Sequence, residues 1–154
     1  MTHPNLFEIV EVKKAIARIN NLTSETRPEW GKMNVAQMLA HCCVPYEYEY
    51  MPEKYGPPAT GIKRFLLRTF LKSTVAGSSP YKKNSRTAPD FMIVDEREFE
   101  TEKQRLIDYL NRTQDLGVEH FVAKPTQSMG MFTADEWNTM FYKHLDYHLV
   151  QFGV

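Results

Sequence analysis

The sequence predicts an all-α fold, a four-helix bundle with one long crossover. Three observations predict it. Four segments repeat apolar residues at helical spacing. Their ends carry cap and stop signals, such as Asn34, the Thr133/Glu136 pair and Gly117. The second and third segments are separated by about 40 residues, a link long enough to cross the bundle and free them from being antiparallel neighbours. At 154 residues the chain fits a single domain that can bury a core without disulfides.

The first helix is expected over 5–22, with Ile9, Val12, Ile16 and Ile19 on one side and Lys13, Lys14 and Arg18 between them. The stretch 23–32 is rich in turn formers and reads as a loop. The second helix starts at Asn34, a good N-cap. Pro45 removes the amide partner of the His41 carbonyl, so a kink or stop is expected nearby. The run Tyr46-Glu47-Tyr48-Glu49-Tyr50 alternates like a strand, but Val44 and Tyr48 continue the stripe through His41 and favour helix. A Pro/Gly-rich loop follows, then a short amphipathic helix over 62–75, carrying Lys63, Arg64, Arg68 and Lys72 as a solvated face. Residues 77–89 are expected to be irregular. The third long helix is expected over 95–115, with Phe99, Leu106, Ile107 and Leu110 inward and Gly117 as its stop. Residues 118–132 read as irregular. The last helix runs from Thr133, with Glu136 completing a capping box, to about Phe152.

Nineteen basic residues balance nineteen acidic ones. That balance gives no global electrostatic reason to favour nucleic acid or an anionic membrane, and neither is expected as a partner. No run of about 18 apolar residues exists, so no membrane span is expected. The N-terminus lacks a basic start followed by an apolar run, so no signal peptide is read there. The cysteines, Cys42 and Cys43, are adjacent and do not form a disulfide framework. A reduced, cytoplasmic compartment is the expectation. Both thiols lie off the inward direction of their helix and read as buried structural groups rather than nucleophiles.

The chemistry-bearing feature is a histidine constellation. His144 and His148 lie four residues apart, which on a helix puts both imidazoles on one face within reach of one ion. Such a pair arises by chance roughly 0.13 times with five histidines, so spacing alone does not decide the matter. Position on the helix does more. At about 100° per residue from Trp137, His144 falls near −20° and His148 near +20°, inside the core-facing stripe, while Asp146 faces solvent. Two neighbouring imidazoles in an apolar stripe need partners and cannot both be charged. A shared divalent metal satisfies both demands, because it binds neutral imidazole. His41 sits on the inward stripe of the second helix and can meet them inside the bundle. His3 and His120 read as ordinary surface residues.

Gln37 lies one turn before His41, and Tyr48 lies about two turns beyond it, on the same face. Both are candidate catalytic groups, as a hydrogen-bond partner and a proton donor at the site's mouth; ordinary packing is the alternative. A three-histidine site leaves a coordination position open, the pattern of catalytic rather than structural metal sites. Two classes of function follow: a metal-dependent hydrolase or thiol-dependent transferase, or a non-catalytic metal or small-molecule binding module.

Four stretches resemble the DinB/YfiT-like superfamily of metal-dependent enzymes: 30–42 (WGKMNVAQMLAHC), 80–91 (PYKKNSRTAPDF), 99–106 (FETEKQRL) and 136–153 (EWNTMFYKHLDYHLVQFG). The resemblance implies an up-down-down-up four-helix bundle with His41, His144 and His148 as metal ligands. It implies zinc or nickel as the metal, a small-molecule substrate, a low-molecular-weight thiol as co-substrate in some relatives, and a homodimer. Close relatives often carry His-Pro ahead of the last helix, where this chain has Lys124-Pro125. Any role of that histidine is therefore absent here or moved.

Overall fold

A computed structural model describes residues 3–85 and 87–154. The chain is mostly helical, with one two-stranded hairpin. Helix α1 spans Ile9–Asn20 and buries Val12, Ala15 and Ile19. Ile9, expected on the inward stripe, is 47% exposed at the first turn. Helix α2 spans Val35–Tyr50. Its capping box joins the Asn34 side chain to the Gln37 amide N–H (2.8 Å) and the Asn34 amide N–H to Gln37 Oε1 (3.1 Å).

Pro45 does not end α2. The lost backbone bond is outweighed by tertiary contacts just beyond it. Tyr46 is fully buried, with its ring stacked on Phe141 at 4.5 Å and on Tyr109 at 5.8 Å. Glu47, 1% exposed, takes hydrogen bonds from Lys54 Nζ (2.6 Å), Arg105 (2.6 Å) and the Tyr55 hydroxyl. Glu47→Ala takes from the guanidinium of Arg105 one of its two buried carboxylate partners, the other being Glu102. We expect a loss of about 1.5–3 kcal/mol in denaturant-induced unfolding.

The crossover holds α3 (Gly61–Leu66), a π turn (Leu67–Leu71) and α4 (Lys72–Ala76), in the region where one helix is expected. Its end is fastened to the last helix. Lys143 Nζ donates to the carbonyls of Thr74 (2.6 Å), Gly77 (2.7 Å) and Ser79 (2.9 Å). A cation at a helix C-terminus meets carbonyls that have no partner within the helix.

Helix α5 is assigned over Phe99–His120, but its regular part breaks at Gly117, whose φ of 67° is left-handed. That is the stop the sequence places there, followed by one extra turn. The helix starts later than 95 because Glu98 is the N-cap, its carboxylate accepting the amide N–H groups of Glu100 (3.2 Å) and Thr101 (2.6 Å). The region expected to be irregular contains a hairpin, β1 (Lys124–Thr126) antiparallel to β2 (Gly130–Phe132), with Pro125 opposite Met131. Strands of three residues are too short to show an alternating pattern. Helix α6 spans Ala134–Gln151 and opens with the expected box between Thr133 and Glu136.

Helix α2 packs on α5 and α6, α1 on α5, and α4 on α6. The shared core joins Val12 and Ile19 of α1, Met38 and Leu39 of α2, Leu106 and Leu110 of α5, and Phe141 and Leu149 of α6. Cys42 and Cys43 belong to it, 1% and 0% exposed, and burial pushes the Cys43 thiol up to about 12. Both are buried structural thiols, as the sequence suggests, although helical phase from His41 places them off the inward direction and the core in fact encloses them. Asp146 lies on the outer side of α6, bonded to Arg18 at 2.7 Å. Among the described residues, no helix is long and apolar enough to cross a membrane.

Candidate metal centre

Helices α2 and α6 bring His41, His144 and His148 together. Their metal-competent nitrogens lie within 4.8 Å of one another. Ring centroids are 4.8 Å apart for His41–His144, 4.5 Å for His41–His148 and 4.9 Å for His144–His148. His41 and His148 are 4% and 6% exposed. These are the three residues that helical phase places on inward stripes.

The hydrogen bonds fix which nitrogen faces the centre. His41 Nδ1–H donates to the Phe91 carbonyl at 2.7 Å. A carbonyl only accepts, so Nδ1 carries the proton and Nε2 of the neutral ring keeps its lone pair. His148 Nδ1–H donates to Gln151 Oε1 at 2.7 Å. The Gln151 amide is oriented in turn by its Nε2–H, which donates to the Trp30 carbonyl at 2.6 Å. His148 Nε2 is thereby left with a lone pair as well. Supporting partners that set the tautomer of a ligating histidine are the usual surroundings of a metal site.

His144 Nε2 lies 2.9 Å from His41 Nε2. With a lone pair on the His41 atom, that approach requires either a proton on His144 Nε2 or a cation between them. Two imidazole nitrogens bound tetrahedrally to zinc at 2.0–2.1 Å would be roughly 3.3 Å apart, so the spacing suits one shared ion after a small adjustment. The donor set fits a borderline divalent metal.

Electrostatics agree. Burial lowers the pKa of all three histidines. His144 is pushed well below its ordinary value by burial and then by the charges its two neighbours would carry. His148 is lowered to about 3, by burial first and His41 second. Near neutral pH the cluster is uncharged, the state a metal requires.

Phe91 closes one side of the centre, its ring 5.5 Å from His41 and 5.7 Å from His144. Tyr147 stands edge-on to His148 at 5.0 Å and accepts a hydrogen bond from Trp30 Nε1 at 3.3 Å. The Trp30 loop can approach because residue 31 is glycine. With φ at 90°, a side chain there would be strained, and its Cβ would stand 2.5 Å from Gln151 Nε2.

Gln37 and Tyr48 sit beside the segment that presents Phe91 rather than bonded to the triad. Gln37 uses Oε1 in the α2 cap and donates from Nε2 to the Asp95 carbonyl at 3.2 Å. The Tyr48 hydroxyl donates to Asp90 Oδ2 at 2.5 Å, and its ring stacks on Phe91 at 6.0 Å. Burial and then Asp90 raise the Tyr48 phenol, which keeps its proton. His120 lies at the end of α5 rather than in a loop. It pairs with Glu49 at 3.1 Å and contacts Lys124. His3 stacks on Tyr142 at 5.6 Å.

Phe91 and Gln151, which orient His41 and His148, are candidate site residues that sequence reasoning missed. Gln151 had a signal, since it lies three residues after His148 on the same face. Phe91 acts through a main-chain carbonyl in an irregular stretch, which leaves no side-chain signature. Gln151→Leu removes the acceptor that orients His148. We expect zinc affinity to fall 10–100-fold, measured by competition with a chelating dye.

Comparison of the chain with protein-family models, with curated proteins and with solved structures finds no match.

Proposed function

We propose that the chain is a metal-dependent enzyme of the DinB/YfiT-like kind. In this reading the helices form an up-down-down-up bundle, and His41, His144 and His148 hold a divalent metal, zinc or nickel. One observation carries the reading: three neutral imidazoles converge, two buried and His144 half-buried, with Nδ1–H of His41 and His148 committed to outer acceptors. A metal on three imidazoles keeps a position open, where it acidifies a water or thiol or polarises a carbonyl. The substrate is a small molecule, and the reaction is hydrolysis or group transfer with a low-molecular-weight thiol as co-substrate. The homodimeric state and cytoplasmic location belong to the same proposal and rest on the resemblance.

The chain's own groups have defined tasks. Phe91 and Gln151 orient His41 and His148. Tyr48, bonded to Asp90, and Gln37, bonded to the Asp95 carbonyl, hold the segment that carries the Phe91 carbonyl. Phe91 and Tyr147 shield the centre from water.

A second reading is favoured by one observation: among the described residues, no carboxylate joins the triad to act as general base. A module that binds a metal or small molecule without turnover would look the same. Zinc- or nickel-loaded protein incubated with panels of thiols, electrophiles and esters separates the two. The enzyme reading expects turnover that His144→Ala abolishes. Stoichiometric metal with no turnover across the panels favours the binding module.

A further inference from the structure

Residues 55–89 contain seven cations, Lys63, Arg64, Arg68, Lys72, Lys82, Lys83 and Arg86, and not one Asp or Glu. The whole chain is neutral, so charge is segregated onto the crossover. Of the described cations in this stretch, only Lys72 has an acidic partner among the described residues, Glu136 at 2.8 Å. Lys63, Arg64, Arg68, Lys82 and Lys83 are exposed.

The same helix turns its apolar residues outward. Ile62 is 80% exposed, Phe65 65%, Leu66 47% and Phe70 66%. Phe65 lies in α3 and Phe70 in the π turn that follows it. The helix is pinned at its other end, where Val75 and Ala76 pack on the core and Lys143 holds the terminal carbonyls. Its free half therefore presents Phe, Ile and Leu among Lys and Arg.

We propose that this crossover helix lies on an anionic membrane surface, with Ile62, Phe65, Leu66 and Phe70 at the boundary of headgroups and acyl chains and the cations on lipid headgroups. The chemistry is that of an interfacial amphipathic helix: large apolar side chains about 5–10 Å deep, flanked by Lys and Arg. Charge decides against a second copy of the chain as the occupant. A twofold pairing would set Lys63, Arg64 and Arg68 against their own counterparts. Weighted by their exposure, the four side chains also offer roughly 390–650 Å² at 150–250 Å² per large side chain, below the ~800 Å² per partner of a stable interface. A nucleic-acid duplex would satisfy the cations but not the aliphatic residues. The proposal replaces the solvated face read from the sequence, and it stands independently of the metal centre.

The test is sedimentation of the full chain with vesicles of phosphatidylcholine alone and with vesicles rich in phosphatidylglycerol. The protein partitions to the anionic vesicles only, and added salt weakens the binding. Lys63→Glu with Arg64→Glu reduces partitioning about 25-fold or more, at about fivefold per charge. Phe65→Ser with Phe70→Ser reduces it about tenfold or more. All four side chains are exposed, so both variants keep parental helix content by circular dichroism and parental zinc uptake. Three results would overturn the proposal. One is failure of the folded parent protein to bind anionic vesicles. Another is binding that survives either double substitution. The third is a self-association or DNA binding that needs these residues while vesicles are ignored.

Discussion

His144→Ala binds zinc more than 100-fold more weakly than the parent protein. Loss of a partner that merely orients a ligand costs 10–100-fold, and His144 contributes a ligand atom 2.9 Å from that of His41. No other cluster of histidine, cysteine or carboxylate groups among the described residues is arranged to replace it. The effect is also readable as stability. Zinc at a hundred times its dissociation constant stabilises the parent by about 2.7 kcal/mol, which raises Tm by about 5–10 °C for a chain of this size. His144→Ala gains less than about 0.4 kcal/mol at the same zinc concentration. Calorimetry with and without zinc, beside a dye competition, gives both numbers.

Metal-free protein loses stability steeply in mild acid. The folded-state pKa values of His41, His144 and His148 are all lowered, so the unfolded chain takes up protons that the folded chain refuses. Stability from such groups is present above the unfolded value of about 6.5 and is lost as pH falls below it. Each histidine held neutral contributes a slope of about 1.4 kcal/mol per pH unit. Between pH 7.5 and 5 His148, lowered to about 3, alone costs about 2 kcal/mol, and His41 and His144 add to the loss in the same direction. Urea unfolding across that range should show the fall, and His144→Leu with His148→Leu should flatten it. A parent protein equally stable at pH 5 and 7.5 would mean that the cluster is not held neutral.

The helices and the centre were legible in the sequence for one reason: both follow a 3.6-residue period. That period put Val12, Leu106 and Trp137 in the core, and it put His41, His144 and His148 on facing stripes. Local hydrogen bonding made the Asn34 and Thr133 caps and the Gly117 break legible as well. Features that depend on distant parts of the chain were not. Helix α2 runs through Pro45 because Tyr46 and Glu47 are held by residues as far away as Arg105 and Phe141. Gln37 reads as a site residue by helical phase, yet it is drawn to its own cap and to Asp95. The Phe91 carbonyl is a backbone atom, and no residue type announces it. The outward face of the crossover helix was hidden differently. Its apolar residues and cations are plain in the sequence, but only exposure tells which of them the core leaves uncovered.

The most direct test of the metal centre is X-ray absorption at the zinc edge on protein purified without an affinity tag and loaded with one equivalent of zinc, beside elemental analysis of the same sample. The expected result is one zinc per chain with three imidazole nitrogens at 2.0–2.1 Å and a lighter-atom ligand in the remaining position. Substoichiometric zinc after loading, or a shell containing sulfur from Cys42 or Cys43, would contradict it.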